Sequence, residues 1–164
     1  MQRRHILLGL AAAAAAAGAA AVAAPRLFAA GRPKAQTGWQ LSNAVWRKRL
    51  SPRQYYVLRE AGTERPFSHP LDHEKRKGRY ACAGCRLPLF DSSRKFDSGT
   101  GWPSFWAPLA GAVGMQTDYN LGMPRTEVHC RRCGGHLGHV FEDGPRPTGK
   151  RYCMNGTALQ FIPV

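Results

Sequence analysis

Acidic residues are scarce in this sequence. Asp and Glu total 10 against 24 Lys and Arg, a formal net charge of +14 over 164 residues. Such an excess can signal nucleic acid or an anionic membrane surface. Here the cations are dispersed, with Arg47-Lys48-Arg49, Lys75-Arg76-Lys77 and Arg131-Arg132 far apart, the pattern of a solvated surface. No nucleic-acid partner is expected, although a zinc-ribbon module binding nucleic acid is the competing class for a basic chain rich in paired cysteines. Long apolar runs are also few. One alanine-rich run extends from Ile6 to Ala24, and no second run reaches membrane-spanning length. Extended helical periodicity is missing, while 18 Gly and 12 Pro punctuate the chain. Turns and short strands are expected rather than a helical bundle.

Arg3-Arg4 precede the apolar run, and small residues follow it at Ala21-Val22-Ala23 and Ala29-Ala30. A basic start, an apolar middle and small residues at a cleavage point define a secretory signal. Residues 1–30 are read as an export signal, twin-arginine-like because of the paired arginines, with an uncleaved anchor as the alternative. The protein is expected in the periplasm or another extracytoplasmic space, soluble and monomeric, touching the membrane only during export. Twin-arginine export carries folded proteins, which suits a domain loaded with metal in the cytoplasm. Residues 31–49 read as a linker running into an amphipathic start, and residues 50–164 as one domain of ordinary size. Ser51 and Pro52 announce a helix as N-cap and first helical residue. Tyr55, Val57 and Leu58 give it an apolar face, and Gly62 is its expected end. From Gly78 onward short strands alternate with turn signals, including a last strand pair between Tyr152 and Phe161. The fold expected is mainly β and antiparallel.

The chain has 5 cysteines. Cys82/Cys85 and Cys130/Cys133 form two Cys-x-x-Cys pairs separated by 44 residues, with Gly84 and Gly134 in or beside them. Four soft thiolates in two knuckles are the pattern of a closed structural Zn²⁺ site. Two disulfides, or a redox Cys-x-x-Cys, are the alternatives. Cys153 is left over, between Arg151 and Asn155 and downstream of His136 and His139. A thiol near cations and imidazoles is a candidate nucleophile, because the thiolate is the reactive form. The plain alternative is a small buried core residue.

Several segments taken together resemble the methionine-R-sulfoxide reductases, the B type of peptide methionine sulfoxide reductase. They are Gly62-Thr63-Glu64-Arg65-Pro66-Phe67, both knuckles, KFDSGTGWPSF (95–105), HLGHVFEDGP (136–145) and RYCMNGTAL (151–159). They span nearly all of residues 50–164 in the family's order. The resemblance implies two antiparallel sheets with a short N-terminal helical segment and one structural zinc per chain, held by Cys82, Cys85, Cys130 and Cys133. It implies Cys153 as nucleophile, His139 as principal proton donor with His136 assisting, and Asn155 and Arg151 beside them. It assigns Trp102, with Phe105, to the substrate, the indole accepting the sulfoxide methyl group. The expected reaction reduces methionine-R-sulfoxide in oxidised proteins or peptides and leaves Cys153 as a sulfenic acid, a repair of oxidative damage. Many members carry a resolving cysteine before the Trp-Pro-Ser-Phe motif, whereas the matching residue here is Thr100. Regeneration by an external reductant, thioredoxin-like or a small thiol, is therefore expected.

Overall fold

The computed structural model describes residues 34–120 and 122–164. The segment expected as an export signal lies outside the described residues. No helix among the described residues is long and apolar enough to cross a membrane.

Two short helices open the described chain. Ser42 caps α1 (Asn43–Arg49), its side chain accepting from the Val45 N–H, and Arg47, Lys48 and Arg49 occupy the last turn, where cations complement the carbonyl end of the dipole. This helix fills the end of the stretch expected as a linker. Trp46 is the reason. It is 1% exposed, stacks on Trp39 with 6.2 Å between ring centroids and lies under the Arg59 guanidinium. Burying one indole stabilises by about 4 kcal/mol at ~25 cal/mol per Å², enough to dock a helix too short to persist alone. Next comes α2 (Pro52–Glu60), with Ser51 and Gln54 in a capping box and Pro52 in the first turn. Tyr55, Val57 and Leu58 are buried as expected. The helix ends differently from expectation, since Ala61 and not Gly62 takes the left-handed conformation, with φ 54°. Gly62 is needed for space, because a Cβ there would lie 2.2 Å from the Tyr56 ring.

Two antiparallel sheets follow. The smaller contains β1 (Gly78–Cys82), β2 (Pro88–Asp91) and β9 (Leu159–Pro163) in the order β2-β1-β9. The larger contains β3 (Lys95–Phe96), β4 (Ser104–Phe105), β5 (Val113–Asp118), β6 (Arg125–Cys130), β7 (His136–Phe141) and β8 (Arg151–Met154), in the order β3-β4-β8-β7-β6-β5. The last two strands are not partners of each other, contrary to the sequence reading. A 3-10 turn at Gly156–Ala158 separates them, and β9 pairs with β1 in the other sheet, Leu159 opposite Cys82.

Aromatic residues from both sheets make the core between them. Phe105 of β4 stacks on Phe90 of β2 at 4.3 Å and meets Tyr80 of β1 edge-on at 4.9 Å. Such pairs add roughly 0.5–1.5 kcal/mol beyond their burial. Helix α2 lies against β7 and the 156–158 turn, so the fold backs the end of β8 on two sides.

Candidate active site

The two knuckles meet at one end of the molecule. All four Sγ atoms lie within 4.8 Å of one another and all four residues are buried. Cys82 and Cys133 stand 3.7 Å apart, Cys85 and Cys130 3.5 Å. A disulfide needs about 2.05 Å, and all five cysteines are free in this structure. A metal bound to thiolates at ~2.3 Å in a tetrahedron sets its sulfurs at about these separations, so the residues fit a four-thiolate metal site. Gly135 lets the second knuckle close against α2, since a Cβ there would lie 3.0 Å from Leu58, whereas a Cβ on Gly84 would make only ordinary contact with Trp46 and Leu58 at 3.5 Å.

Cys153 lies elsewhere, in the middle of the larger sheet. Residues opposite one another across an antiparallel pair share a face. Ser104 is opposite Cys153, Cys153 opposite His139, His139 opposite Glu127 and Glu127 opposite Gln116. The registers thus draw one polar row across five strands. His136 and His139 are three residues apart and would face opposite ways in a regular strand. They do not, because β7 uses two residues, His136 to Gly138, where β6 uses one, Val128 to His129. This bulge at Leu137 brings both imidazoles to one side, with ring centroids 5.4 Å apart and edge-on. It also turns out the Leu137 carbonyl, which accepts from the Asn155 backbone N–H at 2.8 Å and side-chain amide at 3.1 Å.

Each imidazole is held by a buried carboxylate. His136 Nδ1 pairs with Glu127 at 2.7 Å and His139 Nε2 with Asp118 at 2.8 Å. Arg125 donates to the same Asp118 oxygen at 2.7 Å, and Gln116 donates to Glu127. Burial pushes the His139 pKa below its ordinary value, against the pull of the Asp118 hydrogen bond. His139 is neutral at pH 7, with Nε2–H given to Asp118 and the lone pair on Nδ1. Burial pushes the Cys153 thiol up, and the groups able to donate to the thiolate, the Thr100 hydroxyl first, then Arg151 and the Ser104 hydroxyl, offset this only in part. The resting sulfur therefore keeps its proton, contrary to the activation expected from its basic neighbours.

A cavity of about 130 Å³ opens beside the sulfur, lined by Cys153, His139, Asn155, Trp102, Thr63, Arg125, Gly138 and Phe141. Among the residues expected at the site, Cys153, His139, Asn155 and Trp102 meet there. His136 is 4% exposed and stands behind His139, its Nε2 without a protein partner. Arg151 is locked to Asp143 by two hydrogen bonds of 2.9 and 2.7 Å, with its guanidinium over Phe141; it favours the Cys153 thiolate through its charge and a side-chain hydrogen bond. Phe105 is corrected. It is fully buried in the intersheet core, because the adjacent β4 position, Ser104, takes the Cys153 side and alternation sends Phe105 the other way.

Sequence reasoning missed Glu64, Asp118, Glu127 and Arg125. Glu64 holds the site together. Its carboxylate accepts from the Gly156 N–H at 2.5 Å, the Thr157 N–H at 2.8 Å and the Thr157 hydroxyl at 2.5 Å. Its backbone N–H donates to Asn155 Oδ1 and its carbonyl accepts from the Trp102 indole N–H. Charge scarcity was an available signal: of 10 acidic residues only Asp118 and Glu127 are buried.

A protonated thiol beside an imidazole oriented by a carboxylate is the equipment of a thiol enzyme. Comparison with known proteins narrows the class. Residues 50–163 match the SelR domain family. The chain is 56% identical over 124 residues to the peptide methionine sulfoxide reductase MsrB of Agrobacterium fabrum, covering 75% of this chain and 92% of that protein. It is 55% identical over 128 residues to MsrB of Methanosarcina barkeri, covering 77% and 90%. Against the chloroplastic peptide methionine sulfoxide reductase B1 of Arabidopsis thaliana it is 55% identical over 121 residues, 73% of this chain and 60% of that one. The chain belongs to the SelR domain family, that of the MsrB methionine sulfoxide reductases.

Proposed function

We propose that this protein, an oxidoreductase of the MsrB family, reduces methionine-R-sulfoxide in oxidised proteins or peptides to methionine. The observation that carries this is Cys153 opposite His139 in a side-chain-sized cavity walled by Trp102. The sulfoxide methyl group packs on the indole, which its hydrogen bond to Glu64 keeps in one orientation. His139 Nδ1 takes the thiol proton and passes it to the sulfoxide oxygen as the Cys153 sulfur attacks. One thiol and one sulfoxide give one sulfenic acid and one thioether, so the proton on the resting sulfur is the one the reaction consumes.

The other four cysteines are gathered in the metal cluster, and Thr100 occupies the place beside Cys153. An external thiol therefore attacks the sulfenic sulfur and releases water, and a second thiol frees Cys153 as a disulfide leaves. Cys82, Cys85, Cys130 and Cys133 hold Zn²⁺, which supplies folding energy and no chemistry to the reaction. The first 30 residues direct the folded chain out of the cytoplasm; undiminished export after changing Arg3 and Arg4 to Lys would refute the twin-arginine route.

The deciding assay is turnover of separate R and S epimers of a methionine sulfoxide peptide with dithiothreitol. Activity on R alone, lost in Cys153→Ser, is the expected result. Equal use of both epimers, or activity surviving in Cys153→Ser, would overturn the reading.

A further inference from the structure

Three hydroxyls connect the Cys153 sulfur to the backbone of the loop that carries Trp102. Thr100 Oγ1 lies 3.8 Å from Cys153 Sγ, Ser98 Oγ 2.8 Å from Thr100 Oγ1, and Ser104 Oγ 2.8 Å from Ser98 Oγ. Ser104 donates to the Trp102 carbonyl at 3.1 Å. Each hydroxyl has one proton to give, so the direction of the chain can be counted from its end. A carbonyl only accepts. Ser104 spends its proton there and must accept from Ser98. Ser98 then accepts from Thr100, and Thr100 has no proton left for the sulfur. The remaining link runs from the Cys153 S–H to Thr100.

We infer that Ser98, Thr100 and Ser104 form a directed hydroxyl chain whose resting polarity, set by the Trp102 carbonyl, holds the proton on the Cys153 sulfur, and whose reversal stabilises the thiolate. Reversal requires Ser104 to release that carbonyl, so Thr100 can turn its proton to the sulfur only when the Trp102 loop yields. Thr100 touches the reacting sulfur, while Ser98 is a positioning residue acting through it. The charged and titratable groups around Cys153 are Arg151 on β8, tied to Asp143; His139 on β7, tied to Asp118 on β5; and Arg125 on β6. They set the overall affinity of the sulfur for its proton. The hydroxyl chain sets how that affinity changes when the loop moves. The inference rests on Cys153 being the nucleophile.

Its test reads the protonation of Cys153 without any sulfoxide. The rate of iodoacetamide alkylation is followed against pH in the full metal-loaded chain, by mass of the peptide containing Cys153. In Ser98→Ala the Thr100 proton is free to turn to the sulfur, so the titration midpoint falls and alkylation at pH 7.5 quickens about threefold to tenfold, half to one pH unit. In Thr100→Val the thiolate loses its donor, so the midpoint rises and alkylation slows by a similar factor. Thr100→Ser restores the wild-type profile. The double variant Ser98→Ala, Thr100→Val behaves as Thr100→Val alone, since Ser98 acts through Thr100. Shifts of the same sign in both single variants, as loosening of the loop would give, overturn the inference, and so does no shift in either. A protein inactive toward both sulfoxide epimers would sink the reductase reading and leave this result readable.

Discussion

Replacing Glu64 with Gln changes one atom of the side chain and should disable much of the site. The carboxylate accepts three hydrogen bonds from residues 156 and 157. Hydrogen bonds to a charged group contribute about 1.5–3 kcal/mol each. The Gln amide keeps one accepting oxygen, but its NH₂ must face N–H or O–H donors on the other side, so one or two of the three bonds are lost. Discounting for partial exposure, the expected destabilisation is about 2–3 kcal/mol. With a urea slope of about 2 kcal/mol/M, the unfolding midpoint falls by roughly 1–1.5 M. The functional loss should exceed the loss of stability. Glu64 backbone groups also fix the Trp102 indole and the Asn155 side chain, so a shift of this loop moves two walls of the cavity beside Cys153 together. A misplacement near 1 Å can cost on the order of 10²-fold. Urea unfolding of the metal-loaded protein, with kcat/KM on an R-sulfoxide peptide, provides the measurement. A midpoint within 0.3 M of wild type (roughly 0.6 kcal/mol), or unchanged kcat/KM, would refute the clasp.

Thr100→Cys should place a second thiol against Cys153, whose sulfur already lies 3.8 Å from the Thr100 hydroxyl oxygen; one turnover without reductant then leaves an intramolecular disulfide visible by non-reducing mass spectrometry, while wild type leaves none. Chelation of the Zn²⁺ proposed for Cys82, Cys85, Cys130 and Cys133 should, at pH 7, unfold the domain or lower its urea midpoint by more than 1 M, since four buried cysteines would lose the cation that ties them together. Because the folded pKa of His139 lies below the ordinary 6.5, the unfolded chain takes up that proton first; the stability His139 contributes is complete above pH ~6.5 and is lost as pH falls toward the folded value. For Cys153 the folded pKa lies above 9.0, so its contribution is complete below pH ~9 and is lost as pH rises. Urea midpoints at pH 5.5, 7.5 and 9.5 test both, and a midpoint in His139→Gln as acid-sensitive as wild type would refute the first.

The parts legible in the sequence were those whose chemistry is local. Cys-x-x-Cys spacing, the Ser51-Pro52 helix start and the leftover Cys153 each declare themselves within a few residues, and the resemblance added the roles. What failed depends on pairing between distant segments. Nothing near Leu137 announces a bulge, yet only the bulge puts His136 and His139 on one face. Phe105 sits one position from Ser104, and a single step along a strand moves it from the site to the core. Trp46 looked like linker because its partners, Trp39 and Arg59, come from either side of its own helix. Glu64 lies 92 residues from Gly156, beyond any local pattern.

The order in which the strands meet bears on how the chain is made. The larger sheet has β8 between β4 and β7, and the smaller has β9 as the partner that completes β1. Both belong to the last part of the domain to be synthesised. Until then β1, β4 and β7 each present an unpaired edge, and neither half of the intersheet core can close. Contacts between such distant segments fold slowly, and open strand edges invite association with other chains. The domain can therefore close only once its last two strands are present, and Cys153 is among the last residues to reach its place.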